Sequence, residues 1–162
     1  MEKPMAFTVK VVELGFKDVN DIALLFKKVW LENAQEYPLQ WRKLRALNSE
    51  EILKEMQEGY QYFGIHVNGK LVGVYKTLIT VHGLFGEHQS VDPAYRRLGL
   101  ATAMYQHFIS YAKKCGCKKV FVNILANHVP SKKIVEKMKF QKRGPPFEQA
   151  KGMLVQLYEK RV

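Results

Sequence analysis

Between a predicted strand and a predicted helix lies Val91-Asp92-Pro93-Ala94-Tyr95-Arg96-Arg97-Leu98-Gly99-Leu100-Ala101, the stretch of the chain whose residue types and spacing best suit chemistry. Gly99 and Ala101 are small enough to let another molecule approach the backbone closely. The turn and the first residues of the helix point unpaired amides outward, which makes a socket for phosphate oxygens with Arg96 and Arg97 at its rim. Neither G-x-x-x-x-G-K-[ST] nor G-x-G-x-x-G occurs in the sequence, which disfavours ATP and NAD binding through those loops. On the strand that leads into the turn, side chains alternate, so Phe85, Glu87, Gln89 and Val91 are expected on one face. Glu87 is the ionisable member of that set.

The surrounding elements are legible from periodicity. Ala6 to Leu14 alternates and reads as a strand that Gly15 ends; from Asp18, Ile22, Phe26, Val29 and Trp30 recur at helical spacing. Asn48 and Ser49 precede Glu50 and Glu51 and start a second short helix that closes at Gly59. Between these helices lies the aromatic stretch Tyr37-Pro38-Leu39-Gln40-Trp41. Tyr60 to Val67, Leu71 to Val81 and Leu84 to Val91 read as an antiparallel meander through turns at Asn68-Gly69 and His82-Gly83. A helix then carries Ala101, Tyr105, Phe108 and Ala112 on one face and stops before Gly116. Lys119 to Leu125 is an apolar, doubly covered strand. A helix over about Pro130 to Met138 and strands near Phe140 to Lys142 and Met153 to Glu159 follow, with Pro145-Pro146 expected to separate the last two.

The chain has 162 residues, 47% of them hydrophobic and 25% charged, with no repeat or linker, so one globular domain over residues 1–162 is expected. No run of about eighteen apolar residues suits a membrane span, and the N-terminus lacks the apolar core of a signal. The formal charge of +11 directs attention to anionic partners, and its distribution is uneven: residues 1–60 sum to −1 and residues 61–162 to +12. Cys115 and Cys117 form a C-x-C too tight for an ordinary disulfide, which is consistent with inert thiols in a reducing, cytoplasmic compartment. His82, Glu87 and His88 lack metal-site spacing, and Glu87 and His88 alternate across a strand, so no metal is expected. Lys113, Lys114, Lys118 and Lys119 flank a helix C-terminus, where lysine is favoured in any case.

Arg96-x-x-Gly99-x-Ala101 resembles the [RQ]-x-x-G-x-[GA] motif of the GNAT superfamily of acyl-CoA-dependent N-acetyltransferases. The V-D-P lead-in, the amphipathic helix after it, the strand Lys119 to Leu125 and Ser131 to Phe140 follow in that family's order. The resemblance implies an α/β (α+β) domain with a mixed, mostly antiparallel sheet of about seven strands and about four flanking helices. It implies acetyl-CoA as co-substrate, its pyrophosphate held by the amides of Leu98, Gly99, Leu100, Ala101 and Thr102, with Arg96 and Arg97 beside them. The pantetheine arm would lie along Gln89, Ser90 and Val91, where two diverging strands leave a gap. The acceptor would be a primary amine on a small molecule or a protein, attacking the thioester directly in a ternary complex, and a homodimer would be in keeping with similar proteins.

Departures from the family pattern matter as well. His128-Val129-Pro130-Ser131 stands where the family commonly has N-x-x-[AS], so His128 takes the asparagine position and Asn127 sits one residue early; either can contact the coenzyme. Four residues past Ser131, where many members carry a tyrosine that protonates the leaving thiolate, this chain has Val135. Water, Tyr95 and Ser131 stay open as the proton source. Glu87, nine residues ahead of Arg96 where some members place a catalytic group, is the candidate general base. Trp30, Tyr37 and Trp41 either line an acceptor pocket, since the first two helices bound that pocket in similar proteins, or serve as core or lid packing, and Glu32 and Glu36 can attract a cationic amine or simply be solvated. The missing tyrosine keeps a catalytically silent coenzyme-binding sensor or interaction module as the alternative. The net charge motivates nucleic-acid binding, against which no reading helix or aromatic RNA platform can be found.

Overall fold

The computed structural model describes residues 9–162. Its strands are β1 Val11–Leu14, β2 Gln61–Val67, β3 Lys70–Thr80, β4 Gly83–Val91, β5 Lys119–Leu125, β6 Gln141–Ala150 and β7 Met153–Arg161. Its α-helices are α1 Val19–Phe26, α2 Leu39–Arg45, α3 Ser49–Gln57, α4 Leu100–Lys114 and α5 Val129–Lys137. The strands form one sheet in the order β1-β2-β3-β4-β5-β7-β6. Every neighbouring pair is antiparallel except β4 and β5, which the α4 crossover makes parallel.

Local sequence accounts for much of this. Asn68 and Gly69 both take positive φ, 51° and 78°, and close β2 onto β3 as a two-residue hairpin. Asn48 Oδ1 accepts from the Glu51 amide at 2.9 Å while the Glu51 carboxylate accepts from the Asn48 amide at 3.1 Å, a reciprocal cap that starts α3. The sheet then buries apolar side chains on both faces. One cluster joins Phe63, Tyr75, Leu84, Val120 and Val122 to Met104, Tyr105 and Phe108 of α4 and Val135 of α5. The other joins Leu14, Tyr62, Leu71 and Val74 to Ile22, Phe26, Trp30, Trp41 and Ile52 of the N-terminal helices. Gly83 shows how tightly the parallel pair is held at its start: a Cβ there would fall 2.3 Å from the Lys119 carbonyl oxygen.

Four local expectations need correction. Of the strand expected from Ala6, residues 6–8 lie outside the described residues, and strand geometry begins at Val11. The first helix leaves α geometry after Phe26 and continues as a π-helical turn over Lys27–Leu31, in which the Glu32 amide donates to Lys27 O at 3.0 Å. The aromatic stretch before α3 belongs to a helix, α2, that packs Trp41 inward. Pro145-Pro146 does not separate the closing strands: β6 runs through it, with an interruption of pairing between Arg143 and Phe147. β6 is an exposed edge strand, so the missing proline N–H groups cost no interior ladder bond.

Candidate active site

β4 and β5 pair only at Leu84–Gly86 against Val120–Val122, and beyond Gly86 the two strands separate. β4 stays paired to β3 through Val91, and β5 stays paired to β7 through Leu125, so their mutually facing edges line an open gap. The gap is the floor of a cleft of about 140 Å³ whose walls include Glu87, Gln89, Asn123, Leu125, His128 and Ser131, with Trp30, Tyr37, Trp41 and Arg45 on the N-terminal helical side. The divergence expected on family grounds is therefore present.

Within β4 the expected alternation fails. Lys76 pairs with Glu87 and Val74 with Ser90, so two β4 residues, His88 and Gln89, stand opposite Tyr75 alone. This bulge flips the parity of the strand, placing Glu87 on the same face as Ser90 rather than as Val91. Ser90 is buried and its Oγ accepts from Trp30 Nε1 at 2.9 Å, a bond that ties the π-helical turn to the strand. Gln89 lines the cleft and its Nε2 donates to Ala101 O at 3.3 Å, latching the bulge to the first turn of α4.

The loop after β4 is held from beneath by Asp92. Fully buried, it accepts from the Ala94 amide at 2.9 Å and pairs with Lys28 at 2.9 Å and Lys70 at 3.4 Å. Burial pushes its carboxyl up, but Lys28 and the Ala94 amide outweigh that and leave it below the usual carboxylate range. Above this anchor Arg96, Arg97, Leu98 and Gly99 are exposed, with Arg97 at φ 65° and Gly99 at φ 80°. Gly99 in the left-handed region turns the chain into α4, and Leu100 buries its side chain as the helix begins. The first intrahelical bond runs from the Ala103 amide to Gly99 O at 3.0 Å, so the amides of Leu100, Ala101 and Thr102 come before it and point along the helix axis.

On the opposite wall His128 caps α5. Its Nδ1 accepts from the Ser131 amide at 3.3 Å and contacts Ser131 Oγ, which places the ring proton on Nε2. The imidazole packs against Tyr37, ring centres 5.8 Å apart. Asn127 is exposed and faces an adjacent groove with Glu36 and Pro38, whereas Glu32 is exposed at the surface. Burial lowers the His128 pKa from 6.5, Glu36 opposes this and Arg96 adds to it. His107 is lowered in the same direction, by burial and then Lys114. A histidine kept neutral by folding contributes stability that is full above about 6.5 and is lost as pH falls through its lower folded-state value. His128→Asn keeps a capping acceptor and removes one titrating group, so its Tm is expected to fall less between pH 7.5 and pH 5 than that of the parent; equal falls would exclude His128 from this acid sensitivity.

Glu87 belongs to a network that reaches across the sheet face. Lys76 Nζ lies 3.6 Å from Glu87 Oε1 and 2.7 and 2.8 Å from the two Glu55 oxygens, and Glu55 also accepts from the Tyr62 hydroxyl. The Tyr60 hydroxyl, pushed up to about 12 by burial and then by Glu87 and Glu55, stands beside them. Trp30 and Trp41 are buried and also line the cleft, so core packing and cleft lining coincide in the same side chains. Of the proton donors considered for the leaving thiolate, Ser131 lines the cleft, whereas Tyr95 sits in the 3-10 turn with its ring 5.8 Å from Lys70 Nζ. Val135 is fully buried. Three of the cleft residues not anticipated from the sequence are polar or charged and bear on its chemistry. Tyr105 reads as an ordinary apolar helix position, Asn123 is the one polar residue in the interior of the apolar strand β5, and Arg45 follows Trp41 at the i, i+4 spacing that brings side chains together.

The GNAT acetyltransferase family model matches residues 22–140, and the chain belongs to that family. Comparison with curated protein sequences gives no match. Among solved structures, the fold is similar to ribosomal-protein-S18-alanine N-acetyltransferase from Escherichia coli, at TM-score 0.75 and 17% identity, covering 95% of this chain and 94% of that one. It is similar also to PaiA N-acetyltransferase from Thermoplasma acidophilum in complex with coenzyme A, at TM-score 0.76 and 14% identity over 96% and 100% of the two chains. YncA from Salmonella typhimurium, solved with its cofactor acetyl-CoA, matches at TM-score 0.74 and 14% identity over 94% and 93%.

Proposed function

We propose that the protein is an N-acetyltransferase that moves an acetyl group from acetyl-CoA to a primary amine by direct attack in a ternary complex. The observation that carries this reading is the opening between β4 and β5, with Glu87 where the strands part and the exposed amide loop past the end of β4. The amides of Leu100, Ala101 and Thr102 and the side chains of Arg96 and Arg97 suit a pyrophosphate. The open edge of β4 over Gln89, Ser90 and Val91 offers backbone groups to the amides of a pantetheine arm and to the thioester oxygen as negative charge develops on it. His128 and Ser131 flank the arm from α5, and Asn127 stands outside it.

In this reading a neutral amine attacks the carbonyl carbon and a C–N bond forms. Glu87 accepts the proton that the nitrogen must lose, directly or through one water, and the C–S bond breaks to release the thiolate. Binding both substrates in one cleft supplies much of the rate gain. Ser131 carries a hydroxyl on the cleft wall, as do Tyr37, Tyr75 and Tyr105, so these and water are the sources from which a proton can return to sulfur. Among the described residues β1 and β6 are the edge strands of the sheet, and β6 is exposed, which leaves room for the pairing of two copies.

Thermal unfolding with acetyl-CoA, free CoA, ATP and a short oligonucleotide at matched ionic strength tests the donor side. Acetyl-CoA at about a hundred times its Kd adds about 2.7 kcal/mol, a rise of roughly 5–11 °C for a chain of this size. Stabilisation by the oligonucleotide alone would overturn the reading. Tight acetyl-CoA binding with no thiol release across a broad amine panel would instead favour the sensor.

A further inference from the structure

Two arginines one helical turn apart on α2 have different surroundings. Arg42 is spent on the backbone: its Nε donates to Tyr37 O at 3.0 Å and its Nη1 to Trp30 O at 3.3 Å, which fastens the segment before α2 to the π-helical turn. Arg45 has no hydrogen-bond or salt-bridge partner among the described residues. Its guanidinium carbon sits 4.4 Å from the Trp41 ring centre and 5.6 Å from that of Trp30, and the side chain lines the cleft with Glu87. Stacking fixes the plane of the fork and leaves its N–H groups without protein acceptors. A half-buried guanidinium held in this way is suited to a planar anion brought in by a ligand.

The coenzyme's phosphates are served elsewhere. The amide loop begins past the end of β4, and Glu87 lies four residues before that end, roughly 13 Å back along the strand. Arg45 lines the cleft with Glu87 on the side of the Trp30 and Trp41 rings, the wall built by the N-terminal helical elements, so it belongs to the acceptor end. Asn123 lines the same cleft, and its Oδ1 is buried with no donor among the described residues. A carboxylate and an amide oxygen receive N–H groups, a stacked guanidinium receives an anion, and Trp30, Tyr37 and Trp41 form an apolar wall.

From this constellation we infer that the acceptor is an amine that also carries a carboxylate, an amino acid with an apolar or aromatic side chain, whose carboxylate docks on Arg45. The inference rests on the transferase reading above and narrows its substrate class. The acetylated nitrogen faces Glu87, and the rest of the molecule lies against the aromatic wall.

The test compares kcat/KM for a panel of apolar and aromatic L-amino acids with kcat/KM for their decarboxylated amines, in the parent protein, Arg45→Met and Arg45→Lys. Taking the ratio between parent and variant cancels the different basicities of the two amine series. The preference for the carboxylate-bearing series is expected to fall at least ~10-fold in Arg45→Met and less in Arg45→Lys. Tryptophan fluorescence of the CoA-loaded protein provides a second readout: N-acetyl amino acids should perturb Trp30 and Trp41 in the parent and not in Arg45→Met. Activity confined to amines without a carboxylate, or equal losses on both series, would overturn the inference. Acetyl-CoA binding with no transfer to any amine would overturn the transferase reading instead.

Discussion

Replacing Glu87 with glutamine is expected to lower kcat by about 10²–10⁴-fold at neutral pH, the range that a positioned general base contributes. The amide is nearly isosteric with the carboxylate and keeps an oxygen for Lys76, but it cannot take the proton that the attacking nitrogen sheds. The Kd for acetyl-CoA should stay within about twofold, because Glu87 lies four residues before the end of β4, roughly 13 Å from where the loop leading to the amides of Leu100 to Thr102 begins. Activity of Glu87→Gln should also recover partly at high pH, where solvent base takes over the proton. A rate equal to that of the parent across the pH profile would remove Glu87 from the mechanism. The bulge gives the prediction its structural basis: by turning Glu87 and Ser90 to one face, it sets the carboxylate on the side covered by α1 to α3, with the aromatic wall.

Lys76→Met should have the largest effect on stability. Lys76 is 1% exposed and holds Glu55 in two bonds and Glu87 at 3.6 Å; methionine leaves two largely buried carboxylates without their shared cation. Removing one partner of such a set costs about 3–5 kcal/mol, or roughly 6–20 °C in Tm at about 2–4 °C per kcal/mol. Lys54→Met provides the contrast, since Lys54 and Glu58 are exposed and 4.0 Å apart. That change should stay within about 0.5 kcal/mol. Thermal melts of the two variants side by side decide the matter, and a Lys76→Met protein that melts with Lys54→Met would show the network to be solvated. Lys76 touches no reacting atom in this reading. It is a positioning residue, and its loss should also raise KM through displacement of Glu87.

What the sequence determined by itself is what depends on neighbours along the chain. The cap at Asn48 and Glu51, the turn at Asn68-Gly69 and the left-handed Gly99 before α4 all follow from the conformational preferences of a few adjacent residues. The amide loop was legible for the same reason, because its geometry is made within Val91 to Thr102. The helix α5 was legible from about Pro130, but its His128 cap was not, because histidine is not among the side chains that ordinarily mark a helix start. Tertiary structure decided the rest. The β4 bulge is a mismatch of register between two strands, invisible in either strand alone, and it overturned the expected face of Glu87. The π-helical turn is held by a bond from Trp30 to Ser90 across 60 residues of chain. Arg45 acquired its place through stacking on Trp30 from a different helix, and Tyr105 and Asn123 became cleft residues through the separation of β4 from β5. Local preference chooses the elements and their ends. Which side chains meet in the cleft depends on contacts between segments far apart in the chain, and those exist only once the sheet has assembled.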